Sequence, residues 1–326
     1  MLKLIVSVIA FAYVCALSLY AGDEYVETRS KALAHFIMAE IHDFNGSTAD
    51  AMREYERSAS LDRSQPLPHL HLASYYARAG LLSKAAEQLK DVSSIDPTNA
   101  QAHYLMALVY SSQKKYDLAA KEYEQILPAK IDNTPENLDI HTSLAQLYFS
   151  QKKFSRAIDE FQQIVTIDPD NTSAHYLMGS SYLELKDQQN AKEQFKKVLK
   201  LEPINDQALN SLAYVYAQLG ENLDDALVMA KKAIEIDGSN GAYYDTLGWV
   251  LHKKGLNTDS LLALQKAEMY IKDPVLFDHM GDVYQFIKEL ALARKYWRKS
   301  LEAEPQQPSV QAKIDGLEKI QALKEQ

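Results

Sequence analysis

The chain has 326 residues, a net charge of −9 and a single cysteine, Cys15. An acidic balance argues against binding a phosphate backbone, which needs clustered Lys and Arg, so nucleic acid is not an expected partner.

Residues 1–21 carry one charge, Lys3, ahead of an apolar run from Leu4 to Ala21. A short basic start, an apolar stretch and a small last residue describe a secretory signal removed after Ala21. Leu19 is larger than the residue preferred two places before such a cut. The run is also long enough to cross a bilayer, so an uncleaved inner-membrane anchor over residues 4–21 stays open. A lipid-modified Cys15 is disfavoured by Val14, which stands where a small residue is wanted. The mature chain would then hold no cysteine, and so neither disulfides nor thiolate metal sites. Its expected place is a bacterial periplasm or cell envelope, with any membrane contact confined to this segment. Gly22 to Lys31 is short and charged and reads as a linker.

From about Ala32 to Gln307 the chain repeats itself every 34 residues. One position in each copy is small: Ala39, Ala73, Ala107, Ala145, Gly179, Ala213, Gly248 and Gly281. A second follows about twelve residues later: Ala51, Ala85, Ala119, Ala157, Ala191, Ala226, Ser260 and Ala293. Small residues recurring in this way mark helix crossings too close for larger side chains. An apolar residue precedes the first small site, as in Met106 or Leu212, and an aromatic follows three places on, as in Tyr110 or Tyr216. Spacings of three and four are helical, and Pro97, Pro169, Pro203 and Pro305 close copies after Asp or Glu. Each copy therefore reads as two antiparallel helices joined by a short turn.

This pattern resembles the tetratricopeptide repeat family, whose unit is a 34-residue helix pair with these bulky and small positions. The expected fold is all-α, a right-handed α-solenoid of about eight such pairs with a C-terminal capping helix. The copies fall at 32–65, 66–99, 100–133, 138–171, 172–205, 206–240, 241–273 and 274–307. His42 and Leu251 stand where the family expects Tyr, and Arg63, Ile131 and Gly238 replace the closing proline. Four extra residues, Thr134 to Asn137, interrupt the rhythm. They add about one turn, so the next helix is expected to start early. After Pro308, the apolar positions Val310, Ile314, Leu317 and Ile320 share one face, as a helix closing the last copy requires.

No pattern for a nucleophile, a phosphate loop or a metal appears, so the reading is not an enzyme, with no catalytic residue, cofactor or metal. His35, His69, His103, His141 and His175 recur at one place, but neighbouring copies lie about 10 Å apart, too far to share a metal. Leu209, Tyr244 and Phe277 replace them later, which points to packing.

The resemblance implies a concave groove lined by first helices that holds a peptide or partner segment. Carried over copy by copy, its candidates are Phe36, Arg78, Tyr104, Phe149, Tyr176, Asn210, Tyr214, Asp245, Trp249, Asp278 and Asp282. Aromatics among amides suit an extended backbone, and the three Asp favour a basic or neutral partner near the C-terminal copies. The run from Asn240 to Trp249 and that from Asp278 to Tyr284 are similar to runs in bacterial envelope lipoproteins, some of them protease adaptors. The leading expectation is a non-catalytic envelope scaffold or adaptor for a protein or peptide partner. The alternatives are an assembly factor for a pilus, secretion or polysaccharide-export complex, an accessory domain of an enzyme complex, and a structural homo-oligomer.

Overall fold

The computed structural model describes residues 24–127 and 135–324. The signal or anchor expected over residues 1–21, together with Pro128, Ile131 and Thr134 at the irregular joint, lies outside the described residues.

The described residues form seventeen helices and no strand. In chain order these begin with α1 (Glu24–Phe44), α2 (Thr48–Leu61), α3 (Pro66–Arg78), α4 (Leu82–Ile95), α5 (Ala100–Ser112) and α6 (Tyr116–Ile126). Next come α7 (Pro135–Ser150), α8 (Phe154–Ile167), α9 (Thr172–Glu184), α10 (Gln188–Leu201), α11 (Asp206–Leu219) and α12 (Leu223–Ile236). The last five are α13 (Gly241–Lys253), α14 (Asn257–Tyr270), α15 (Pro274–Phe286), α16 (Leu290–Ala303) and α17 (Pro308–Lys324). They build two compact units, one ending at Leu147 and the other starting at Tyr148, so the division falls inside α7. Within each unit, helix pairs stack in sequence order as in an α-solenoid.

The small positions set this packing. All eight residues of the second set are 0% exposed, and the first set is buried as well. The first small site faces a bulky residue of the second helix, sixteen positions on. A Cβ added at Gly179 would lie 2.8 Å from the Phe195 ring, and one at Gly248 would lie 2.5 Å from Leu264 Cγ. At Gly281 it would run into the indole of Trp297, which is itself 0% exposed. Where the first site is alanine, as at Ala39 and Ala107, the knobs are Tyr55 and Tyr123.

Each pair turns through a residue of left-handed conformation. These are Gly46, Gly80, Lys114, Lys152, Lys186, Gly220, Gly255 and Lys288, and the sixth copy adds a second, Asn222. Four copies thus place lysine where glycine is at ease, at a local cost of about 1 kcal/mol each.

Three details differ from or sharpen the sequence reading. Residues 24–31, expected as a linker, are the opening turns of α1. Ser30 and Ala32 are buried there, and Arg29 reaches Asp62 at the end of α2 (2.9 Å). Helix α7 starts at Pro135 and runs 16 residues against 13 for α9, so the inserted residues lengthen the helix. Helix α17 buries Val310, Ile314 and Leu317 in the same cluster as Leu276, Met280, Val283 and Trp297. These three sit 34 residues beyond Leu276, Met280 and Val283 of α15. Helix α17 is therefore in register as one more first helix. The positions that would face a second helix are now polar, with Gln311 bonded to Asp315 on the exposed side.

Replacing Gly281 with Ala should lower unfolding free energy by about 1–3 kcal/mol, since the rigid indole cannot yield. In urea titrations the double change Gly281→Ala with Trp297→Leu should lose less than the sum of the two single changes. Strict additivity would mean that the two sites do not oppose each other.

Candidate protein-binding surface

The first helices are aimed by the turns that precede them. Asn99, Asn171, Asn205 and Asn240 cap α5, α9, α11 and α13, each side-chain oxygen accepting from a first-turn N–H (2.9–3.1 Å). Three of these amides donate back to the acid closing the previous copy: Asn99 to Asp96, Asn171 to Asp168 and Asn205 to Glu202. Such reciprocal caps satisfy donors that a helix start leaves open. The Thr98 hydroxyl and N–H, with the Asn99 amide, hold the Asp96 carboxyl below its usual range.

The recurring histidines do more than fill space. His35, His69, His103 and His175 each place Nδ1 at 2.6–2.8 Å from the side chain nineteen residues on, namely Glu54, Gln88, Glu122 and Gln194. At His103 and His175 the other nitrogen lies 2.9 Å from the carbonyl of Pro97 or Pro169. One ring thus ties both helices of its own copy to the end of the preceding one. Both nitrogens of His103 face acceptors, a carboxylate and a carbonyl, so it fits best as imidazolium. Burial pulls its pKa down, but Glu122 and the Pro97 carbonyl outweigh burial and the net shift is upward.

In the first unit the candidates are Phe36 on α1, Arg78 at the end of α3 and Tyr104 on α5. Phe36 is half-buried against Tyr55 of its own second helix (5.8 Å between centroids) and against His71 of α3 (6.1 Å). Tyr104 meets Tyr123 edge-on at 5.9 Å, yet 37% of it stays exposed beside Leu108 at 41%. Arg78 is exposed, with its guanidinium 4.8 Å from the Tyr75 ring. A cleft of about 510 Å³ opens near Phe36, between α1 and the ends of α2 and α3, with the Arg29–Asp62 pair in its wall.

The second unit holds the remaining eight. Phe149 packs on Phe154 and Phe161, and Tyr176 on Phe195, so their rings are braced from behind. Tyr214 accepts from the Gln218 amide at 2.7 Å. The side-chain oxygen of Asn210 and the indole N–H of Trp249 are buried with no hydrogen-bond partner. The acidic end departs from expectation. Asp245 pairs with the buried His279 (2.9 Å), while Asp278 and Asp282 both take Lys313 of α17 (2.6 Å each). Asp282 also accepts from Trp297 Nε1 at 3.1 Å. Burial pushes the Asp278 carboxyl up, with Lys313 opposing. These acids are occupied internally, so they do not stand open to select a basic partner. Trp249 is only 5% exposed, its ring stacked 4.1 Å from His279 with the Lys253 ammonium 4.4 Å from its centroid. Trp249 therefore builds the wall more than the open surface. It lines a cleft of about 460 Å³ with His252, Lys253, Gln285 and Phe286.

Sequence reasoning passed over His279, Lys313 and Phe286. Phe286 is 64% exposed and stands five residues after its small site, the place Arg78 holds in the second copy. That offset alone could have marked it. The partners at plus nineteen and the capping Asn were likewise periodic and readable. Among the described residues no group of three or more His, Cys, Asp or Glu is placed to hold a metal, and no helix is long and apolar enough to cross a membrane.

Models of the tetratricopeptide repeat match residues 70–134, 104–172 and 172–205. The chain carries tetratricopeptide repeats. A solved structure agrees on the fold: a tetratricopeptide repeat protein from Parabacteroides merdae ATCC 43184 is 17% identical with a TM-score of 0.58, covering 78% of this chain and 98% of its own. YrrB, described as a TPR protein with an unusual peptide-binding site, is 21% identical with a TM-score of 0.49, covering 62% of this chain and 97% of its own. TTC0263, a thermophilic TPR protein of Thermus thermophilus, is 17% identical with a TM-score of 0.48, covering 55% of this chain and 97% of its own. No protein with a curated description matches the chain.

The His103 pairing predicts a pH dependence. Its folded pKa is raised above the ordinary 6.5, so its stabilisation is complete below that value and is lost as pH rises through the folded one. The gap in urea midpoint between the wild type and His103→Gln should be widest near pH 5 and close by about pH 9. A gap that grows with pH would contradict the assignment.

Proposed function

We propose that this chain is a non-catalytic protein-interaction scaffold of the bacterial cell envelope, holding a peptide or partner segment on the faces of its first helices. The observation that carries the reading is the set of braced aromatics on those helices. Tyr104 and Tyr176 each rest on a ring of their own second helix, at 5.9 and 5.6 Å, and keep part of their surface open. A ring fixed from behind loses little entropy when a partner covers it, the condition under which aromatics dominate binding. The polar groups are spread along successive helices rather than converging in one pocket, which favours recognition over chemistry.

The envelope location rests on the basic and apolar character of residues 1–21. A role in assembling a larger envelope complex is a narrower form of the same proposal.

Two measurements test this reading. Full-length chain used as bait in envelope extract should retain a partner that a bait with Tyr104→Ala and Tyr176→Ala binds at least about tenfold more weakly, while Trp249 is left intact for its packing role. Equal retention by both baits would move the contact off these faces. Terminal sequencing of the protein recovered from cells should begin at Gly22, and an intact Met1 would favour the anchor.

A further inference from the structure

Among the aromatic candidates on the first helices, Trp249 alone is buried. Its indole N–H has no hydrogen-bond partner, so packing alone keeps water from it. Three groups supply that packing at the ring: His279 of α15 stacked at 4.1 Å, His252 at 5.2 Å, and the Lys253 ammonium 4.4 Å from the centroid. His279 is buried and tied to Asp245. His252 is held more lightly. It is half-buried in the last turn of α13, just before the left-handed turn at Gly255. Its one hydrogen bond among the described residues runs from Nδ1 to Asn257 Oδ1 (2.7 Å). The Asn257 amide donates to the Gly255 carbonyl (3.2 Å), which turns its oxygen toward the ring and makes Nδ1 the donor. The exposed Phe286 meets His252 edge-on at 5.5 Å, and all three rings border the cleft of about 460 Å³.

We propose that His252 is a proton-operated cover on Trp249: the neutral ring closes over the indole, and the protonated ring swings to solvent and opens the indole to the cleft. The closed position is a poor place for a second cation. Facing the ring are Lys253 on its own helix, His279 and Asp282 on α15, and Lys313 of α17 in the cleft wall, while from α14 it meets the neutral Asn257. Asp282 is already engaged by Lys313 and by Trp297 Nε1. The indole, which attracts one cation, already holds the Lys253 ammonium. Burial above all, with Lys253 and His279 adding to it, pulls the His252 pKa below its ordinary value, against Asn257 and Asp282. Swinging out gives up one hydrogen bond and the stack. It leaves the imidazolium at the C-terminus of α13, where the helix dipole favours positive charge. A ring released to solvent titrates near 6.5, and the closed ring below that. Closure is therefore complete above about 6.5 and is lost as pH falls toward the closed-form value. The sign is opposite to that of His103, whose pairing is strongest in acid. The cover acts on Trp249 whether or not a partner binds the first helices.

The chain has two tryptophans, so two indole N–H resonances report on it, told apart in Trp297→Phe. In isotope-labelled full-length chain, solvent exchange of the Trp249 N–H is measured relative to that of Trp297 from about pH 8 to about pH 5. The ratio should rise at least about tenfold on acidification, with a midpoint below about 6.5. In His252→Phe, which keeps a stacked ring but takes no proton, it should stay at the high-pH value throughout. In His252→Ala it should be raised at every pH. A wild-type ratio that does not change with pH overturns the proposal. So does a rise that persists in His252→Phe, which would place the proton on His279 or the acids. A ratio in His252→Ala equal to that of the wild type at high pH would show that His252 covers nothing.

Discussion

The packing in both units depends on one contact, the place where the first helix of a copy crosses the second so closely that one side must give up its side chain. Gly281 under Trp297, Gly248 under Leu264 and Gly179 under Phe195 are three forms of it. A single large residue fills the notch, and the buried positions around it complete the core. Once that distance is set, the outward positions on the first helix become available. They are free because the small site and its neighbours carry the burial. The faces proposed for binding are thus a by-product of how the pairs close.

A second level of order is polar. The capping Asn, the acid that closes each copy and the histidine nineteen residues before its partner form a lattice along the chain. Each member satisfies a group that burial would otherwise leave open, and each touches two consecutive elements. Hydrophobic contacts alone permit small slips between stacked pairs. Hydrogen bonds of defined geometry at the turns do not, because a slip would break several together.

The fold was legible because its cause is periodic. The small sites, the aromatic three residues later and the proline boundaries survive in sequence, since Ala107 is fully buried at its crossing and even a Cβ at Gly281 would run into the Trp297 indole. The candidate surface was only half legible. Tyr104 and Tyr176 were placed correctly as ring-bearing positions of the first helices. The acids at Asp245, Asp278 and Asp282 were misjudged as open because their partners, His279 and Lys313, lie about a full period away, on the first helix of the following copy or its counterpart α17. Sequence spacing reveals neighbours along a helix, whereas charge compensation here runs between helices. The start of α1 was missed for a similar reason: its charged residues look like a solvated tether until Arg29 is seen to meet Asp62.

Helix α17 copies the inner face of a first helix while turning polar where its second helix would dock. What it covers is a generic surface, the one every copy offers to its successor. A duplication or deletion of one whole period upstream would leave that surface, and the fit of the terminal helix, nearly unchanged. Length is then a free variable for this architecture, and gene-level gain or loss of copies can retune reach without redesigning the terminus.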